Sequence, residues 1–408
     1  MKRIFFVLFI TAAIILLSGC TNLLEYNSER ISITPHRIPP YERPPVELIS
    51  VSDIDEFALQ ILEFIADHET EIKLIYYPYD GEDVQAEVSR VVYEIHNEHP
   101  IGVYAVANIT ADATKIVTHF EVDITIEYKR THEQIESIVS AATVRYMMTQ
   151  LLTIMSEYKD EAIFRTRLQF TEEDITEFVK EAYYQNPRRI LMLPTVAVEI
   201  FPEEGVDRIY EIKFGYIDDP SILQQYSRNL EHYVRREAEQ TVGNTDSEIL
   251  LSLARRLIES TVFDEGTART IHIHGAQNYA ATAFGALVRG SAVGEGFAMA
   301  FKALCDELRF DNRIVLGYYD GMVHAWNIIL LYGDFYHIDI AMCVVNGIET
   351  AFLKTDADFE EMLYTWDNGN TVKATGELTY DDIIGFEDID EPDDPDDYIE
   401  EHNNEEEE

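Results

Sequence analysis

The sequence predicts an α+β protein built from more than one domain, and three observations lead there. Its 408 residues are more than a single core usually serves, even after both ends are set aside. Phe120, Val122, Ile124, Ile126 and Tyr128 alternate with polar residues, as do Tyr210, Ile212, Phe214 and Tyr216, which is the mark of a half-buried strand. Around these runs lie segments whose apolar residues follow helical spacing, such as Phe57, Ile61, Phe64 and Ile65.

At the amino end, MKRIFFVLFITAAIILLSGC has a short positive start in Lys2 and Arg3, then an almost wholly apolar run from Ile4 to Leu17. That run is shorter than the roughly 20 residues a spanning helix needs, so it reads as a secretory leader. Leu17-Ser18-Gly19-Cys20 resembles the bacterial lipobox, in which the cysteine is linked to diacylglycerol and becomes the new amino terminus. The resemblance implies a leader over residues 1–20 and a mature chain on the extracytoplasmic face of a cell membrane. Membrane lipid is then a partner through acylated Cys20, whereas an ordinary cleaved signal peptide is the alternative. Residues 21–49 carry Pro35, Pro39, Pro40, Pro44 and Pro45, which favour an extended tether. Residues 386–408 end in EDIDEPDDPDDYIEEHNNEEEE, too acidic to bury apolar surface, and read as a solvated tail.

The net charge of −45, from 31 basic against 76 acidic residues, argues against nucleic acid as a partner, because phosphate contacts need clustered Lys and Arg. It also leaves membrane attachment to the lipid rather than to a basic patch. With Cys20 assigned to the anchor, Cys305 and Cys343 are too few for a disulfide framework.

Between tether and tail the pattern repeats. Ser52 is expected to cap the first amphipathic helix, IKLIYY follows as a strand, and the Phe120–Tyr128 alternation leads to a long helix expected over Thr131 to Ser156. Thr171 then caps EEDITEFVKEAYY, ILMLPTVAV is strand-like, and the Tyr210–Tyr216 alternation is followed by the helix SILQQYSRNLEHYVRRE. Two small α+β modules, 50–165 and 166–243, are expected, the repeat being one of pattern with little residue identity. Neither holds a metal or nucleophile constellation.

From 244 to 385 the chain reads SEILLSLARRLIES, AATAFGALVRGSAVGEGFAMAFKALCDELRF, then RIVLGYYDGMVHAWNIILLYGDFYHIDIA. These segments resemble the transglutaminase-like superfamily, the fold of transglutaminases and papain-like cysteine hydrolases, which implies a domain with an antiparallel sheet. The resemblance places His324 on the family's catalytic histidine and Asp339 on the aspartate that orients it. Gly294 stands where the family has its nucleophilic cysteine, and Ile340-Ala341-Met342 departs from the usual residues after the aspartate. Trp326 and Glu295 are expected to line the cleft.

Pairing rules support the dyad. With Tyr332-Gly333 as a two-residue hairpin loop, Leu331 faces Asp334 and Asp339 falls opposite Trp326. His324 is then Asp339's diagonal neighbour at roughly 7–8 Å between backbones. A cysteine at the helix start would be activated by the helix dipole and the imidazole; glycine cannot serve.

Among replacements, Ser291 reads as part of the turn into the helix and Cys305 as core, while Cys343 is the thiol nearest the dyad in sequence. His272 and His274 alternate in TIHIHG as on one side of a strand, without a third metal ligand. The expectation is therefore a lipid-anchored binding protein for a peptide or cell-envelope ligand, without cofactor or metal. The alternatives are a cysteine-type hydrolase or cross-linker with a displaced nucleophile, and a structural assembly protein.

Overall fold

The computed structural model describes residues 49–78 and 83–387. The leader with Cys20, nearly all of the tether, and residues 388–408 of the tail lie outside the described residues.

Four strands form the first sheet: β1 (Ile49–Val51), β2 (Glu71–Tyr76), β3 (Val106–Lys115) and β4 (Phe120–Tyr128), in the order β1-β2-β4-β3. β1 runs parallel to β2 because a helix, Ile54–Ala66, joins them; the other pairings are antiparallel. Asp53 caps that helix in place of the expected Ser52, whose amide and hydroxyl instead donate to Glu56, and its Phe57, Ile61, Phe64 and Ile65 are buried as the spacing predicts. A second sheet of β5 (Val139–Ser140), β6 (Glu161–Thr166), β7 (Thr195–Phe201) and β8 (Arg208–Gly215) repeats the arrangement as β5-β6-β8-β7, with β5 parallel to β6. The repeat of pattern is thus a repeat of topology.

The sheets divide between Tyr128 and Val139, ahead of the expected boundary at 165/166, which falls inside β6. The long helix expected over Thr131–Ser156 is two helices. Thr131 caps His132–Glu136 with a capping box, Val139 and Ser140 pair with Phe164 and Arg165, and Thr143 caps Val144–Ser156. Helical spacing yields here to a strand pairing that no local pattern announces.

The last unit has a four-stranded sheet of β11 (Asn312–Tyr319), β12 (Met322–Leu331), β13 (Asp334–Ile338) and β14 (Tyr364–Trp366), antiparallel throughout in the order β13-β12-β11-β14. Ahead of that sheet in the chain, β9 (Val262–Phe263) and β10 (Ser291–Ala292) make a short parallel pair that delivers the chain to the Gly294–Glu307 helix. Leu331 pairs with Asp334 and Asn327 with Ile338, the register expected, across a turn in which Tyr332 and Gly333 both have positive φ. The second module and this unit share one hydrophobic core, whereas the first module has its own, entered by Ile163 and Ile209. The final helix, Tyr380–Glu387, runs two residues into the stretch expected to be tail. No helix among the described residues is long and apolar enough to cross a membrane.

Candidate functional site

The Gly294–Glu307 helix begins without a side-chain cap, and all of it up to Cys305 is buried. Gly296 lets its first turn press on the preceding loop, since a Cβ there would stand 2.1 Å from the Ala280 carbonyl oxygen. β12 crosses the same helix. Asn327 donates from Nδ2 to the Ala298 carbonyl and to Asn312 Oδ1, both at 3.0 Å, and so locks strand to helix. Three residues earlier on that strand, His324 is brought to the helix start.

His324 and Asp339 meet. The imidazole Nε2 lies 2.5 Å from Asp339 Oδ2, which also accepts from the Tyr364 hydroxyl at 2.6 Å. Asp339 Oδ1 accepts from the Met342 amide at 3.1 Å, so the carboxylate also caps the short Ile340–Asn346 helix. Burial pushes the Asp339 carboxyl up, but the His324 charge, with the hydrogen bonds from His324, Tyr364 and Met342, outweighs it and holds the carboxyl below its ordinary value. With Nε2 donating to this carboxylate, Nδ1 is the nitrogen turned toward residue 294.

That position is already full. A Cβ on residue 294 would stand 2.4 Å from both Nδ1 and Cε1 of His324, well inside the contact distance of carbon atoms. The glycine is therefore more than a missing thiol, because the imidazole occupies the volume from which a nucleophilic side chain would project.

A cleft of about 340 Å³ opens over this point. Glu265, Arg269, His274, Glu295, Tyr319, His324 and Asn346 supply its polar part; Phe263, Ile271, Met322, Met342 and Val345 are among its apolar walls. Glu295 lines the cleft as expected, although it is only 5% exposed. Its Oε1 accepts from the Tyr184 hydroxyl at 3.0 Å, and the Gly275 amide lies 3.1 Å from each of its oxygens. Burial pushes its carboxyl up to about 7, against the lowering effect of those two donors.

Trp326 does not line the cleft. It shares the face of His324, two residues along the strand, but Phe359, Tyr364 and Trp366 cover it and it is fully buried. Its Nε1 donates to His337 Nδ1 at 3.0 Å, and His337 Nε2 is held by Asp356 at 2.9 Å. The indole thus backs His324, with which it stacks at 6.3 Å.

His272 and His274 lie in a loop rather than on a strand. His272 is exposed, while His274 is half-buried in the cleft wall, where burial lowers its basicity and His324 lowers it further. No group of three or more potential ligands among the described residues is arranged to hold a metal. Neither thiol reaches the cleft. Burial pushes Cys305 up to about 12; Cys343, whose Sγ contacts the Ile348 carbonyl at 3.4 Å, is pushed up by burial and by the Asp339 charge. Ser291 sits in β10, outside the cleft lining.

Sequence reasoning missed Tyr364, Tyr184 and the cleft position of His274. Tyr364 and Tyr184 reach the site from 25 and 111 residues away in the chain, so no local spacing marks them.

No protein-family profile matches the chain. No curated protein matches it either. Among solved structures, a TGase (transglutaminase) is similar at a TM-score of 0.27 and 11% identity, over 64% of this chain and 71% of that one. A candidate cysteine protease from Cytophaga hutchinsonii is similar at 0.24 and 15% identity, over 44% of this chain and 70% of that one. Overlaps this low carry no argument of their own.

Proposed function

We propose that the chain is a transglutaminase-like lipoprotein, held outside the membrane by acylated Cys20, whose cleft binds an apolar peptide segment of the cell envelope and performs no thiol chemistry. The observation that carries this reading is the contact between Gly294 and His324. The helix start, imidazole and carboxylate stand in the relation that thiol catalysis requires, yet the ring fills the space of the attacking side chain. The motifs around Gly294, His324 and Asp339 support the family assignment, and lipidation rests on the leader motif at Cys20.

The cleft walls indicate the ligand's character. Met322 and Val345 are 61% and 58% exposed at the cleft while Phe263 and Ile271 face inward, so apolar surface is kept open to solvent where a ligand would cover it. A displaced nucleophile has little support, because both thiols are buried and held in the unreactive protonated form.

The test incubates the full chain with fluorescent peptides bearing one large apolar side chain and follows both anisotropy and product mass. Saturable binding that weakens in Met322→Glu and Val345→Glu, with every peptide recovered intact, is the expected result. Peptide cleavage or cross-linking that disappears in His324→Ala would overturn the non-catalytic reading. Binding indifferent to both rim substitutions would remove the cleft from the proposal.

A further inference from the structure

The second module has a pocket that the cleft does not use. It measures about 330 Å³ and is lined by Ser156, Arg188, Arg189, Ser227, Arg228 and Glu231. Ser156 closes the Val144–Ser156 helix, the two adjacent arginines follow the Glu172–Gln185 helix, and the other three residues lie on the Pro220–Glu239 helix. Three arginines thus line one pocket in a chain whose acidic residues outnumber the basic ones by 76 to 31.

Arg188 is the fixed member. Its Nε and one terminal nitrogen bind Glu231 at 3.1 and 2.8 Å, and the other reaches Glu307 at 2.5 Å. Arg235 adds a bond to Glu231 at 3.0 Å, so the only carboxylate lining the pocket is already neutralised. Arg189 and Arg228 are exposed and uncommitted. Arg189 has one long contact, to Ser156 Oγ at 3.5 Å, and Arg228 has no hydrogen-bond or ion-pair partner among the described residues.

The hydroxyl of Ser227 is also available. Tyr158, 2% exposed, accepts from the Leu191 amide at 3.1 Å and touches Ser227 Oγ. A buried phenol needs an acceptor for its own proton, and Ser227 Oγ is the one at hand. Ser227 then accepts from Tyr158 and keeps its proton for another partner.

The pocket is therefore rich in donors, and its one lining carboxylate is already paired with arginine. Two guanidinium forks and a hydroxyl, one from the segment after the Glu172–Gln185 helix and two from the Pro220–Glu239 helix, suit a group with oxygens facing several directions, as a phosphoryl group has and a planar carboxylate has not. The depression is open to solvent, so the molecule that carries the group can extend outward from it. We propose that Arg189, Arg228 and Ser227, on the scaffold of Arg188 and Glu231, form a binding site for a phosphate ester.

Calorimetric titration of the full chain at low ionic strength with inorganic phosphate, a phosphomonoester and dimethyl phosphate tests this. The expected result is saturable binding of at least one, weakened about tenfold or more in the Arg189→Gln/Arg228→Gln double variant and unchanged in His324→Ala. Binding of dimethyl phosphate would assign the site to phosphodiesters, and its absence beside phosphomonoester binding to terminal phosphates. Both arginines are exposed, so an unchanged unfolding midpoint will show that the double variant is folded. No saturable binding up to about 10 mM, or binding indifferent to the double substitution, would overturn the proposal. So would binding only of a synthetic peptide of residues 387–408, which would give the pocket to the chain's own carboxylates.

Discussion

Replacing Gly294 with alanine adds one methyl group at the start of the Gly294–Glu307 helix, and the sign of its effect separates two views of the site. If the position were merely empty, alanine would gain from helix propensity, by up to about 1 kcal/mol. Here the new Cβ would stand 2.4 Å from two ring atoms of His324, and the imidazole has to move. It is 13% exposed and bound to a carboxylate at 2.5 Å; a hydrogen bond to a charged group contributes about 1.5–3 kcal/mol. Overpacking of a filled site costs about 1–3 kcal/mol. These two costs describe one displacement and are not additive, so a net destabilisation of about 0.5–2 kcal/mol follows after the full propensity gain. Denaturant unfolding of the full chain measures it, and a double-mutant cycle with His324→Ala isolates the cause. In the His324→Ala background the methyl group should be neutral or stabilising. A stabilising Gly294→Ala substitution in the wild-type background, or a cycle with no coupling, would refute the claim that the imidazole occupies the nucleophile's place. The same contact predicts that a cysteine at 294 will not simply restore a thiolate–imidazole pair.

The buried carboxyls give opposite pH signatures. Glu295 is raised in the folded chain to about 7, so its stabilising contribution is complete below the ordinary carboxylate range and lost as pH rises through about 7; Glu295→Gln should flatten the unfolding midpoint between about pH 4.5 and 7.5. Asp339 is lowered, so its contribution is present above the ordinary carboxylate range and lost as pH falls through its depressed value; Asp339→Asn should remove that part of the acid limb. Tyr364→Phe deletes the 2.6 Å bond to Asp339 and should destabilise by about 1–3 kcal/mol, seen in the same denaturation assay. Cys305 and Cys343, at 0% and 2% exposure, should resist iodoacetamide in the folded chain and label only on unfolding, as peptide mapping would show.

What was legible in the sequence is what nearest neighbours decide. The Tyr332-Gly333 loop sets the register of β12 on β13, and with a period of 2 that register brings Asp339 to His324. The same periodicity correctly puts Trp326 on the face of His324, but it says nothing about what covers that face. Phe359 and β14 arrive from later in the chain and turn an expected cleft residue into a buried wall. Val139 and Ser140 are a similar case, since only their partners in β6 make them a strand. Tyr184 and Tyr364 carry no local signal because their roles exist only once distant elements are packed. The tightness of the Gly294–His324 contact was hidden for another reason: spacing reports which residues meet, and a difference of about 1 Å in how closely they meet decides whether a side chain fits.

The second module is part of the cleft's construction. Tyr184 holds Glu295 at the base of the helix, and Gln277 donates to the Leu193 and Gly215 carbonyls at 3.2 and 2.8 Å. Tyr279 adds a hydrogen bond to Asp218. These contacts pin the 272–279 loop, which carries His274 into the cleft wall, to elements that precede residue 244. The helix Pro220–Glu239 also packs on the Gly294–Glu307 helix within the shared core. Cutting the chain at 243/244 would bare that core and release the loop, so a fragment of 244–385 would not preserve the cleft. The boundary that is plain in the sequence therefore does not divide the physical unit, in which one module shapes the wall of a site whose polar centre belongs to the next.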